Sequence, residues 1–152
     1  MENKVIEQAR TWLGTKFRYQ GRVKKNANNN GGVDCLGLII GVCDELNYKY
    51  NGKSLKHYDT IEYSTKPNYN LLKTMFKKFF KEKEVKDIAI GDIVLKQISN
   101  SQYHLMFYTG KTFIHASAIT KSVVEHDVDN LENCCVYSLK WLQLYIKFLL
   151  FG

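Results

Sequence analysis

Cys35 follows a Gly31-Gly32-Val33-Asp34 lead and opens an apolar run of helical length, CLGLIIGVCDEL. A cysteine in the first turn of a helix meets the positive end of the macrodipole. That position favours the thiolate, the form that attacks carbonyl carbon. Such a nucleophile needs a base within hydrogen-bond reach and a third group to orient that base. His104 and His115 lie downstream in two runs, YHLMFY and KTFIHA, on either side of a Thr109-Gly110 step. If Thr109-Gly110 is a two-residue turn, Tyr108 pairs with Lys111 and His104 falls directly opposite His115, with Cβ atoms roughly 5 Å apart on one face. A helix-tip thiol and a pair of imidazoles are the parts for acyl transfer. Asp34 reads as the helix cap, with a charged contact to a substrate amine as the alternative. Cys43, deeper in the same helix, reads as a small core residue, and His57 and His126 read as surface histidines.

The elements that must position these groups follow from periodicity. Residues 2–13 carry Val5, Ile6, Ala9, Trp12 and Leu13 at helical spacing, and Gly14 stops them. Residues 15–20 read as extended or looped. Residues 21–32, with Lys24-Lys25 and four asparagines, read as a mobile loop. The helix that begins at Cys35 buries Leu38, Ile39, Val42 and Leu46 and ends near Asn47; Gly37 and Gly41 on one face allow another backbone to approach closely. Residues 48–70 read as an irregular surface connection. Residues 69–82 read as a second amphipathic helix, with Leu71, Leu72, Met75, Phe76, Phe79 and Phe80 on one side and Lys73, Lys77, Lys78 and Lys81 on the other.

From Ile88 the period changes to two, predicting strands at 88–96, 103–108, 111–116, 123–126 and 136–139, with Gly91-Asp92 as a bulge or turn that Asp92 stabilises. Residues 141–151 read as a closing helix or strand. Helices followed by a meander of strands predict an α+β fold with an antiparallel sheet, in one domain over residues 1–152.

Composition narrows the function classes. Hydrophobic residues make up 45% of the 152, enough for a real core and too many for a disordered chain. Four cysteines include the vicinal Cys134-Cys135 but no CxxC or Cys/His zinc spacing, so reduced thiols and no metal or organic cofactor are expected. A formal charge of +7 favours polyanionic partners such as nucleic acid or an anionic cell envelope. No nucleic-acid-binding motif accompanies that charge. The charged, amphipathic first twenty or so residues do not read as a signal peptide, and residues 141–151 are too short and polar for a transmembrane span. Synthesis in the cytoplasm without a Sec-type signal is the expectation.

The segments ARTWLGTKFRYQG and GVDCLGLIIGV resemble the opening of the NlpC/P60 cysteine peptidases, and most of all the phage-type branch of tail-assembly and gene-transfer-agent proteins. Further matches follow in order: Gly91-Asp92-Ile93-Val94-Leu95, Tyr103-His104-Leu105, Phe113-Ile114-His115-Ala116 and Val123-Val124-Glu125-His126. The resemblance implies a papain-like α+β fold with the cysteine helix packed on an antiparallel sheet. It implies Cys35 as nucleophile, His104 as base and His115 as the residue that orients the base. It implies hydrolysis of amide bonds in peptidoglycan stem peptides at the bacterial cell wall, within or apart from a phage tail-like particle. Two departures touch the site. Lys16 replaces the usual proline, and Phe17 stands where many members carry a tyrosine that helps the oxyanion site. That donor is then missing or comes from Tyr19 or Gln20. Met106 also sits where a small residue is common. The competing reading is a catalytically silent module that uses the same fold to bind wall peptide or a neighbouring tail subunit.

Overall fold

The computed structural model describes residues 2–59, 69–99, 102–127 and 130–140. The first helix, α1 (Glu2–Arg10), buries Val5, Ile6 and Ala9. A turn then carries buried Trp12 to Gly14, whose φ of +86° ends the segment. Two short strands, β1 (Arg22–Val23) and β2 (Gly32–Val33), pair antiparallel and lead into α2 (Cys35–Glu45). The hairpin β3 (Lys49–Tyr50) and β4 (Lys53–Ser54) follows, then a 3-10 turn, Leu55–Tyr58. After α3 (Tyr69–Phe79) come β5 (Lys81–Lys83), β6 (Ile93–Gln97), β7 (Tyr103–Tyr108), β8 (Thr112–Ser117), β9 (Ser122–Asp127) and β10 (Cys134–Ser138). These last six make one antiparallel sheet in the order β5-β10-β6-β7-β8-β9. The α+β expectation holds.

Alternation along the strands gives the sheet two unlike faces. Ile93, Leu95, Leu105, Phe107, Ile114, Ala116 and Val123 join Leu38, Ile39 and Val42 of α2 in the main core. Val94, Met106 and Phe113 form a smaller cluster on the other face with Ile88, Tyr108, Leu131 and Cys134 packed around it. α2 is apolar on nearly every side because it is covered by α1, by the 3-10 turn and by β7 and β8.

Several expectations are corrected. Residues 21–32 are a pinned hairpin. Arg22 pairs with Val33 and Val23 with Gly32. The asparagines supply its turn: the Asn26 side chain accepts from Asn28 N at 2.8 Å and the Asn29 side chain from Gly31 N at 2.6 Å. Within 48–59, β3, β4 and buried Tyr48 and Leu55 replace an irregular surface strip. α3 stops at Phe79, and Lys81-Glu82-Lys83 joins the sheet edge against β10. The strand expected from residue 88 begins at Ile93. Before it lies a turn in which Asp92 accepts from Ala89 N at 2.8 Å and pairs with Lys83 at 2.8 Å. The closing element at 141–151 lies outside the described residues.

Both helical glycines permit close approach, in different ways. A Cβ on Gly41 would lie 2.4 Å from the Trp12 ring, so this position seats an indole. A Cβ on Gly37 would lie 2.4 Å from the Gly21 carbonyl oxygen, so backbone meets backbone there, as expected. Gly37→Ala is therefore expected to lower stability by up to about 2 kcal/mol: the strain of overpacking, about 1–3 kcal/mol, is offset by the roughly 1 kcal/mol gained in helix propensity. A urea-unfolding midpoint compared with the parent chain measures it.

Candidate active site at the tip of the second helix

Asp34 has extended backbone and caps α2, its Oδ1 accepting from Gly37 N at 2.8 Å. The same carboxylate accepts from Gln20 N at 3.0 Å and from Arg22 Nη1 at 2.8 Å. Arg22 continues to Asp59, Nε to Oδ2 at 2.7 Å. Asp34 is only 8% exposed, and both its oxygens are held from within the chain. The geometry is that of the cap rather than of a free charge for a substrate amine. Gln20 adopts φ +61°, which turns its amide toward Asp34. Tyr19 is 56% exposed. Both line an open polar cleft of about 390 Å³ with Arg18, Arg22 and Gly31. Phe17 is half-buried against the main core.

This cap places Cys35 as the first residue of α2, where it is partly accessible. Pairing of β7 with β8 is confined to Phe107↔Ile114 and Tyr108↔Phe113. Beyond that point the backbone of Leu105 comes close enough to the Cys35 sulfur to favour its thiolate form. The thiol thus touches β7 one residue from His104. Among the described residues no hydrogen bond joins it to an imidazole. Burial pushes the Cys35 thiol up to about 12 and the Asp34 charge adds to this, outweighing the backbone hydrogen bonds of Leu105, Leu36 and Cys35 itself. Desolvation of the sulfur opposes the expected preference for thiolate at the helix end.

His104 and His115 are brought together, by a different register from the expected one. The turn centres on Gly110-Lys111, with Gly110 at φ +97° and Thr109 N donating to Thr112 O at 2.9 Å. The ladder is displaced by two residues, so the histidines are diagonal neighbours rather than opposed. A displacement of two keeps both on one face, where a displacement of one would have parted them. His104 Nε2 and His115 Nδ1 share a hydrogen bond with the rings edge to face.

The chain of rings continues. His115 Nε2 meets His126 Nε2, and His126 Nδ1 lies 2.8 Å from the Asp127 carbonyl oxygen. His126 is exposed, as expected, yet it is part of this array. Sequence reasoning missed that role; its signal was the alternation of 113, 115 and, across β9, 126 on one face. His57 is exposed and lies apart, near Lys53 and Tyr58.

A carbonyl only accepts, so a neutral His126 carries its proton on Nδ1 and a lone pair on Nε2. His115 then donates from Nε2 and accepts at Nδ1, and His104 donates from Nε2. His104 Nδ1 is left with a lone pair and, among the described residues, no partner. Both inner rings are neutral: burial lowers His104 to about 4, with His126 and Lys96 adding to it, and lowers His115 to about 3, with His104 and His126 adding. A thiol beside a strand whose imidazole offers a free lone pair can run nucleophilic chemistry by general-base catalysis.

The sequence profile of the NlpC/P60 family matches residues 14–137, which include every part of this site. The chain belongs to the NlpC/P60 family. Solved members share its fold. The NlpC/p60 domain of the peptidoglycan hydrolase SagA is 17% identical with a TM-score of 0.58, over 91% of this chain and 99% of that one. RipB of Mycobacterium tuberculosis, a peptidoglycan hydrolase, is 18% identical with a TM-score of 0.59, over 90% of this chain and 63% of that one. RipD of the same organism, described as non-catalytic and adapted to peptidoglycan binding, is 15% identical with a TM-score of 0.57, over 91% and 95%. A search of the curated proteins finds no match. Among the described residues of this NlpC/P60 domain, no helix is long and apolar enough to cross a membrane.

The lowered imidazoles set a pH dependence. The unfolded chain takes up protons near pH 6.5, whereas the folded chain holds His104 and His115 neutral to about 4 and 3. Between those limits the unfolded state binds more protons, so stability is complete above about pH 6.5 and falls as the pH drops. Unfolding midpoints from pH 7.5 to 4 should decline, and the decline should be shallower in His104→Gln.

Proposed function

We propose that this NlpC/P60 domain is a cysteine peptidase that hydrolyses amide bonds in peptidoglycan stem peptides. Cys35 is the nucleophile, His104 the base and His115 the residue that orients it. The observation that carries this reading is the backbone of Leu105 beside the sulfur of Cys35, with His104, the next residue along β7, hydrogen-bonded to His115.

The reaction starts from the neutral thiol. His104 Nδ1 takes the proton from Cys35 Sγ as sulfur attacks the peptide carbonyl. The resulting oxyanion is met by N–H groups at the first turn of α2, including that of Cys35; one such donor is typically worth about 100-fold in rate. Collapse breaks the C–N bond, and the His104 imidazolium gives its proton to the leaving amine. A water molecule, deprotonated by His104, then attacks the thioester, releasing the acid and restoring the thiol. His115 Nδ1 accepts from His104 Nε2 throughout, favouring the imidazolium as it forms. Tyr19 and Gln20, on the adjacent cleft, are the proposed substrate contacts, and the chain's positive charge suits an anionic wall. The site of action is the bacterial cell wall. The phage-type opening motif supports delivery by a tail-like particle.

The likeness to RipD favours a second reading, a wall-binding module without turnover. Incubation with purified peptidoglycan separates the two. The peptidase reading expects soluble fragments from the parent chain. It expects at least a thousandfold loss in Cys35→Ala, in line with removal of a nucleophile, with an unchanged circular dichroism spectrum. Pelleting with the wall and no fragments from either protein supports the binding module. Equal release by both removes Cys35 from the mechanism.

A further inference from the structure

The array of rings is longer than the proposed mechanism uses. His104, His115 and His126 stand on three successive strands of one sheet face, each a diagonal neighbour of the next. The outermost ring lies on the edge strand β9 and is the one tied to backbone, through Nδ1 and the Asp127 carbonyl. Its other contact is the edge of Phe113, its partner across the ladder. No carboxylate is hydrogen-bonded to any of the three rings among the described residues. Glu125 and Asp127 flank His126 on β9, and Glu125 is engaged by Arg10 and Thr112.

We propose that His126 is a positioning residue that sets the proton direction along this array, so that His104 faces Cys35 with an unprotonated Nδ1. The catalytic consequence rests on the peptidase reading above; the tautomer order does not. With neutral rings the array has two internally consistent orders, and they run in opposite directions. In one, His104 carries its proton on Nε2 and can act as a base. In the other it carries the proton on Nδ1 and cannot take one from a thiol. Without His126, His115 loses the acceptor that holds its proton on Nε2 and both orders become accessible. The Asp127 carbonyl, which cannot donate, selects the first. A backbone carbonyl, relayed by two imidazoles, thus does what an orienting carboxylate does beside a single histidine.

Two variants and two readouts test this. His126→Leu removes the acceptor. His126→Gln restores one, its side-chain oxygen standing near the place of Nε2. Histidine-ring nitrogen NMR at pH 7.5 should find His104 and His115 of the parent chain protonated on Nε2. The Leu variant should show a tautomer mixture, and the Gln variant the parent pattern. With stem peptide as substrate, kcat should fall about tenfold or more in the Leu variant at unchanged KM, and return to within about threefold of the parent in the Gln variant. A parent His104 protonated on Nδ1, or tautomers unmoved in the Leu variant, overturns the proposal; so does a tautomer shift with unchanged kcat. If the parent chain hydrolyses nothing, the peptidase reading fails and the NMR arm alone decides the proton order.

Discussion

A buried carboxylate holds three separate pieces of chain at one point. Asp34 caps α2, takes the Gln20 amide and pairs with Arg22, which in turn reaches Asp59. Taking a carboxylate out of water is expensive unless its lone pairs are filled, and here each oxygen has a donor. The consequence is positional. The hairpin of β1 and β2, the start of α2 and the segment after β4 cannot move independently. Cys35 is the next residue along the chain, so the network fixes the place of the sulfur. Gly37 completes the arrangement, because only a residue without Cβ lets the Gly21 carbonyl sit on the first turn.

The sheet answers with groups that are neutral by construction. Desolvation favours the uncharged forms of the Cys35 thiol and of His104 and His115. This site therefore does not store an ion pair. In the proposed reaction charge separates only when a carbonyl is attacked, and the same low-polarity surroundings then strengthen each hydrogen bond to the new charges. Direction in the array comes from the backbone at Asp127, and distance from two well-formed ladders, β6 with β7 and β8 with β9. The shorter ladder between β7 and β8 leaves the backbone of Leu105 to the sulfur.

Much of this was legible in the sequence where a local rule sufficed. The cap at Asp34, the start of α2 at Cys35 and its end before Asn47 follow from short-range capping and periodicity. The histidines' shared face survived a wrong register because the turn slid by one residue on each strand, which moves the pairing by two. What escaped notice depends on partners far along the chain. The asparagine-rich segment reads as mobile because its ladder to Gly32-Val33 leaves no mark on composition. Lys81-Glu82-Lys83 joins the sheet edge with no apolar alternation to announce it. Arg22 looks like any surface arginine until Asp34 and Asp59 are brought beside it. His126 looks like a strand end because its role lies in a proton order, which no residue pattern records. The helix-end argument for a thiolate left out burial, which acts against it.

The central claim is that Cys35 carries the acyl group during turnover. The direct test is rapid acid quench of the chain with a defined stem peptide, followed by mass spectrometry of the fragment containing Cys35. The account predicts a transient mass increase equal to the acyl portion of the substrate, located on Cys35 and lost as product accumulates. Product accumulating with Cys35 unmodified at every time point would contradict it.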